Sequence, residues 1–446
     1  MENQRSAPLD ALRGTAILMM VFSGVQPYAG ALPAWMYHAQ VPPPAHVFDP
    51  ALPGITWVDL VFPFFLFSMG AAIPLSLPAR MAREGTKGAA TSILRRFLLL
   101  LLFAILSFNF APLRIPESGM WAPYIGILGY AGLFLALVEY PGLSSTRRRI
   151  FRLIGWGLIA SLAAWLLFAF HLFDPAKNDP IIRVLAHVYL AGAGIWLLTR
   201  YHTLLRSGFY LLVLALYLGS TEKDSWVYLL WNARDPWNLL SPMLLKYLLI
   251  FLPGTLLGDQ LSEQTRDNTP RHPFTPALIA ATTGIALWAF FSRHVAAGFA
   301  LVLPLCGILC FYHRKYSDFG ILLSGTLLLT AGFLLDPFQG GIKKDHATLS
   351  YFFASSGLAF LWVTAFLTAQ RRGWQIIVHP LALLGQNALL AYLMAGFLWS
   401  PLFDLSGLSA WMGTSLGGGL LKAVFITGLM ATLSAWLAKK KVFWKM

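Results

Sequence analysis

Charge is scarce in this chain. Only 12% of its 446 residues are Asp, Glu, Lys or Arg, against 57% hydrophobic residues, whereas a soluble domain carries about 25% charge. No stretch is long and polar enough to form a separate water-soluble domain, so residues 1–446 read as a single unit. Cysteine is nearly absent too. Cys306 and Cys310, four apart on one apolar helix, are the 2 in the chain, which excludes a disulfide framework and a thiolate metal site. The histidines do not stand at ligand spacing, so no metal is expected. G-x-S-x-G, the P-loop, H-E-x-x-H and a G-x-G-x-x-G in a βαβ setting are all missing. A serine nucleophile, a zinc protease and a dedicated nucleotide fold therefore lack support.

Apolar runs of about 20 residues are what the chain has in quantity, each able to cross a hydrocarbon layer about 30 Å thick. We read an all-α, polytopic helical integral membrane protein of about fourteen spans, or about twelve if the short runs at 206–219 and 297–312 do not cross. The first run, 11–30, follows a weakly basic start that contains Asp10, and it reads as a retained helix rather than a cleaved signal peptide. A net charge of +14 would ordinarily suggest nucleic acid. Here Lys and Arg gather in alternate loops, as at Arg80, Arg83 and Lys87, at Arg147, Arg148 and Arg149, and at Lys439, Lys440 and Lys441. That pattern puts both termini in the cytoplasm and makes the lipid bilayer, not nucleic acid, the partner. The loops on the opposite side are longer and richer in Trp, Tyr and Pro.

One acid enters a membrane run near its start: Asp59, in WVDLVFPFFLFSMGAAIPLS at 57–76. An acid entering the bilayer costs about 2.5–3.5 kcal/mol on insertion scales, so it has a partner or a task. His38 precedes it in a loop stiffened by VPPPAHVFDPALPG, flanked by Trp35 and Tyr37. An imidazole is the side chain best able to move a proton near neutral pH, and a carboxylate can hold its tautomer. His46 and Asp49 share the loop and are candidates to complete the site or bind substrate. Lys344 and Asp345 form a charged cluster on the same side, and Asn387 is an amide inside an apolar run, placed to line a pocket. At the other end of the first helix Asp10 and Arg13 stand three apart, where Arg13 can meet a phosphate.

Taken together, RSAPLDALRGTAILMMVF at 5–22, YHA at 37–39, GITWVDLVFPFFLFSMG at 54–70, IKKDHATLSYFFASSGLAFL at 342–361 and GQNALLAY at 385–392 resemble heparan-α-glucosaminide N-acetyltransferase and its bacterial relatives. The resemblance implies acetyl transfer across a bacterial inner membrane, from cytoplasmic acetyl-CoA to an amine or hydroxyl of an amino sugar or glycan outside. It implies His38 as the catalytic base. On the chemistry of the residues themselves, Asp59 would orient it, Asp10 and Arg13 would lie near the coenzyme, and His46, Asp49, Trp35, Tyr37, Lys344, Asp345 and Asn387 would serve the acceptor side. The spacing between His38 and Asp59 is expanded here, which leaves His46 as a rival base, and Gly24 stands where the family has an asparagine. N- against O-acetylation, an acetyl-histidine intermediate and a homodimer stay open. A secondary transporter of amino sugars is the alternative in a different class.

Overall fold

The computed structural model describes residues 6–28, 32–237, 239–263, 271–413 and 415–444. The fold is all-α. Its helices are α1 (Ala7–Val25), α2 (Val61–Asn109), α3 (Ala122–Leu137), α4 (Ser145–Ala169), α5 (Pro180–Thr199), α6 (Thr203–Gly219), α7 (Trp226–Trp231), α8 (Leu248–Glu263) and α9 (Thr275–Ser292). They continue with α10 (Val295–His313), α11 (Phe319–Leu334), α12 (Leu349–Arg371), α13 (Gln375–Gly385), α14 (Ala388–Leu393), α15 (Ser400–Leu405), α16 (Leu408–Met412) and α17 (Leu416–Lys439). Two short strands, β1 (Val138–Glu139) and β2 (Phe443–Trp444), pair antiparallel.

Among the described residues, 11 helices are long and apolar enough to cross a membrane, and the chain is an integral membrane protein. One of these stretches, Trp57–Asn109, runs 53 residues, far more than the roughly 20 that a crossing needs. It folds back at Gly85, whose φ of 70° and ψ of 178° only glycine adopts readily. Thr203–Gly219, Phe319–Leu334 and Gln375–Gly385 are shorter apolar helices. The apolar run at 379–399, long enough for one span, is interrupted: α13 stops at Gly385 and α14 starts at Ala388, with Asn387 between them outside the helical region.

The centre of the bundle is α12. Buried over 89% of its hydrophobic window, it packs on α1, α2, α8, α9 and α11. Several of its hydroxyls are satisfied within the protein. Ser355 and Thr364 donate to carbonyls one turn back, and Ser350 reaches Gly332 O of α11 at 2.7 Å.

Close helix crossings rest on glycine. At the α1–α13 contact, a Cβ on Gly385 would stand 1.9 Å from Asp10 O, and one on Gly14 would stand 1.9 Å from Leu381 O. With no side chain there, the two backbones touch, and this fixes Asp10 and Arg13 against the α13–α14 break. Gly385→Ala should therefore lower stability by about 1–3 kcal/mol or more through overpacking. Gly24→Ala, at an exposed position with open space around it, should be neutral or slightly stabilising. Thermal melting of the two variants in detergent distinguishes them; equal melting temperatures would refute the close-contact argument.

Candidate active site

Asp59 sits where a loop becomes a helix. Thr56 and Asp59 form a capping box at the turn preceding α2: Thr56 Oγ1 accepts from Val58 N at 3.2 Å and Asp59 Oδ2 accepts from Thr56 N at 2.9 Å. The motif T-x-x-D is visible in GITWVDL. Asp59 is 2% exposed. A carboxylate so deep must be surrounded by donors, and it is. Oδ2 also accepts from Ala39 N at 3.2 Å, and Oδ1 meets His38 Nδ1 at 2.6 Å. Tyr351, at the start of α12, donates its hydroxyl to Asp59 O at 2.8 Å.

The 2.6 Å contact decides the tautomer of His38. A carboxylate only accepts, so Nδ1 carries the proton. Lys344 Nζ lies 3.3 Å from the same nitrogen. Since Nδ1 already donates to Asp59, the ammonium is there as a charge neighbour rather than as a donor to the ring. Nε2 has no hydrogen-bond partner among the described residues, and the side chain is 35% exposed. A buried acid and an oriented imidazole whose other nitrogen is open are the parts of a general base, and the adjacent ammonium opposes protonation of the ring.

Lys344 is delivered by the loop before α12, and that loop is clamped to the His38 loop. Gln40 Nε2 donates to Asp345 O, and Gln40 Oε1 accepts from Asp345 N at 3.0 Å. Gly54 N reaches Ile342 O at 2.7 Å, and Tyr217 OH donates to Ala347 O at 2.8 Å. The Asp345 carboxylate acts electrostatically on buried Lys246. Nothing in the sequence marks Gln40, Tyr217 or Lys246 as part of this assembly.

Several residues expected on the acceptor side sit elsewhere. Tyr37 is 1% exposed and donates to Pro27 O at 2.6 Å, and burial pushes its phenol pKa up. It is a strut, not a stacking surface. His46 packs edge-on against Tyr37 and Tyr28 at 4.5 and 5.2 Å, with both ring nitrogens buried and unpartnered. It has no carboxylate to orient it, as His38 does. Asp49 Oδ1 accepts from Ala51 N at 2.8 Å, closing its own turn. Trp35 is 53% exposed at the loop surface.

Asn387 is at the opposite end of the bundle, because the break between α13 and α14 falls beside Asp10 on α1. There it lines a cavity of about 320 Å³ together with Asp10, Arg13, Ser76, Arg96, Tyr189, Gln386 and Trp444. Arg13 donates to Asp10 Oδ1 at 2.9 Å and to Ser68 O at 3.3 Å. The Arg96 guanidinium stacks over Tyr189 at 4.6 Å. A smaller apolar pocket of about 20 Å³ adjoins this cavity through the shared walls Phe65, Leu185, Ala388 and Leu389, and reaches Val61 and Phe62, beside Asp59. From Ser68 to Asp59 is nine positions, roughly 14 Å at the helical rise. Among the described residues no three His, Cys, Asp or Glu side chains converge as metal ligands.

If Gln40 is the clamp, Gln40→Ala should release the Lys344 loop. Hydrogen–deuterium exchange of amides 343–348 should speed up while α12 stays protected; unchanged exchange there would show that the remaining bonds suffice.

No curated protein matches the chain. Residues 5–261 match the family model described as a domain of unknown function (DUF5009). That stretch is more than half of the 446 residues and contains His38, Asp59 and the Arg13 end of the cavity, and the chain belongs to that family.

Proposed function

We propose that this protein is a transmembrane acetyltransferase, which moves an acetyl group from acetyl-CoA on the cytoplasmic side to the amine or hydroxyl of an amino sugar or glycan on the far side. The observation that carries the reading is the placement of two unlike polar sites at opposite ends of α1, with the part of α2 before Gly85 running between them. An oriented imidazole stands at one end, an arginine-lined cavity at the other, and a pocket adjoins the cavity between them. A phosphate-bearing coenzyme head is too polar to enter hydrocarbon, but a thin thioester arm can extend between helices while the head stays among cations.

In this reading His38 Nε2 takes the proton from the attacking amine or hydroxyl as its nitrogen or oxygen bonds to the thioester carbon. The carbon–sulfur bond breaks, and the coenzyme leaves as a thiolate that the imidazolium reprotonates. Asp59 holds the tautomer and stabilises the transient imidazolium, and Lys344 adds positive charge beside the ring. Arg13 and Arg96 attract the phosphates. About fourteen crossings, both ends in the cytoplasm and a bacterial inner membrane complete the proposal, supported by the alternation of basic loops.

One observation favours the transporter reading: the interrupted α13–α14 helix, since broken helices recur at transporter binding sites. Uptake of labelled glucosamine into proteoliposomes without acetyl-CoA would support it.

For the acetyltransferase, purified protein with acetyl-CoA and glucosamine should yield acetylated sugar by mass spectrometry. His38→Ala should reduce turnover by about 100-fold or more, the usual contribution of a general base. Asp59→Asn should reduce it as well, while His46→Ala should remain within a few-fold of wild type. Full turnover in His38→Ala would remove the imidazole from the mechanism.

A further inference from the structure

Three residues that line the arginine-lined cavity each have a buried polar atom with no partner among the described residues: Asn387 Oδ1, Trp444 Nε1 and Arg96 Nε. Buried polar atoms are nearly always satisfied, so three orphans in one wall call for a common explanation. The orientation of Asn387 is not arbitrary. Its Nδ2 donates to Val442 O at 2.9 Å, and a carbonyl cannot donate, so Oδ1 is the end left over. Asn387 is 2% exposed and lies at the α13–α14 break.

Trp444 reaches this wall through an unusual device in a helical protein. Beyond α17 the chain turns back, Val442 N bonds Leu437 O at 2.9 Å, and β2 pairs with β1 in the register Val138 with Trp444 and Glu139 with Phe443. The indole packs edge-on against Phe103 at 5.3 Å. The strand pairing and the Asn387–Val442 bond thus hold an unsatisfied acceptor and an unsatisfied donor in the same wall. An amide group offers the complement, an N–H for Oδ1 and a C=O for Nε1. The pantetheine arm of coenzyme A is built from such amides, and its phosphates suit Arg96, which has no carboxylate partner among the described residues.

We propose that Asn387 and Trp444 recognise the amide-bearing arm of the coenzyme, and that Arg96 meets its phosphates, so that strand β2 is a working part of the donor site. This rests on the acetyl-CoA reading above. It adds specificity: the site distinguishes the whole coenzyme from its nucleotide portion.

The test is calorimetric binding to the full-length protein in nanodiscs, using coenzyme A and its adenosine bisphosphate fragment, which lacks the arm. Trp444→Phe keeps the ring and removes the donor. It should weaken coenzyme A binding by about five- to tenfold and leave the fragment unchanged. Asn387→Ala should behave alike, with a thermal melt to verify folding. Arg96→Gln should weaken both ligands. If wild type binds coenzyme A and both Trp444→Phe and Asn387→Ala bind it equally well, the recognition role is overturned while the acetyl-CoA reading stands. Equal losses for coenzyme A and the fragment would also overturn the arm assignment. Wild type that binds neither ligand would remove the donor itself and both proposals with it.

Discussion

A buried carboxylate has to be surrounded, and the architecture around Asp59 follows from meeting that demand inside a membrane span. Two backbone amides, Thr56 N and Ala39 N, together with His38 Nδ1, take up its oxygens. The amides fix the path of the loop, and the path places the imidazole. The imidazole in turn satisfies the acid with its Nδ1 proton and is left with its other nitrogen bare. The same group that caps the entry to α2 therefore also orients the His38 ring. Capping the turn and holding the imidazole are not separable at this residue.

The proximity of His38 and Asp59 was legible from residue type, because an acid at the mouth of an apolar run needs a partner and the nearest loop offered an imidazole. What lay beyond reach were contacts set by helix packing. Gln40 grips a loop 305 positions away through a backbone amide, and neither its identity nor its spacing announces this. Tyr37 and His46 looked like acceptor-side groups because aromatics and imidazoles often line sugar sites, yet they pack on each other. Asn387 was placed at the wrong end because the run 379–399 shows no proline or charge at the break. The interruption at Gln386–Asn387 lies next to the close contact of Gly385 with α1, a tertiary feature that hydropathy does not report.

The span pattern was easier to read than the sites because it depends on hydropathy averaged over many residues, and a few misplaced boundaries do not change it. Sites depend on single atoms. Arg96 illustrates the difference: the sequence marks it as one of several basic residues in a loop, but only the fold singles it out as the guanidinium that turns into the cavity and lies over Tyr189.

Lys344 follows His38 by 306 positions. At a synthesis rate of about 5–20 residues per second, that separation takes roughly 15–60 s to translate. For most of that interval, once Asn109 has been made, the nascent protein has α1 and α2 with no α12, no Tyr351 and no Lys344. Yet the donors to the Asp59 carboxylate come from within 21 positions of it. The acid is thus sheltered by its own neighbourhood while the ribosome is still at work. The long-range partners arrive afterwards, to a site already safe from the hydrocarbon, so that insertion of the early helices does not have to wait for completion of the late ones.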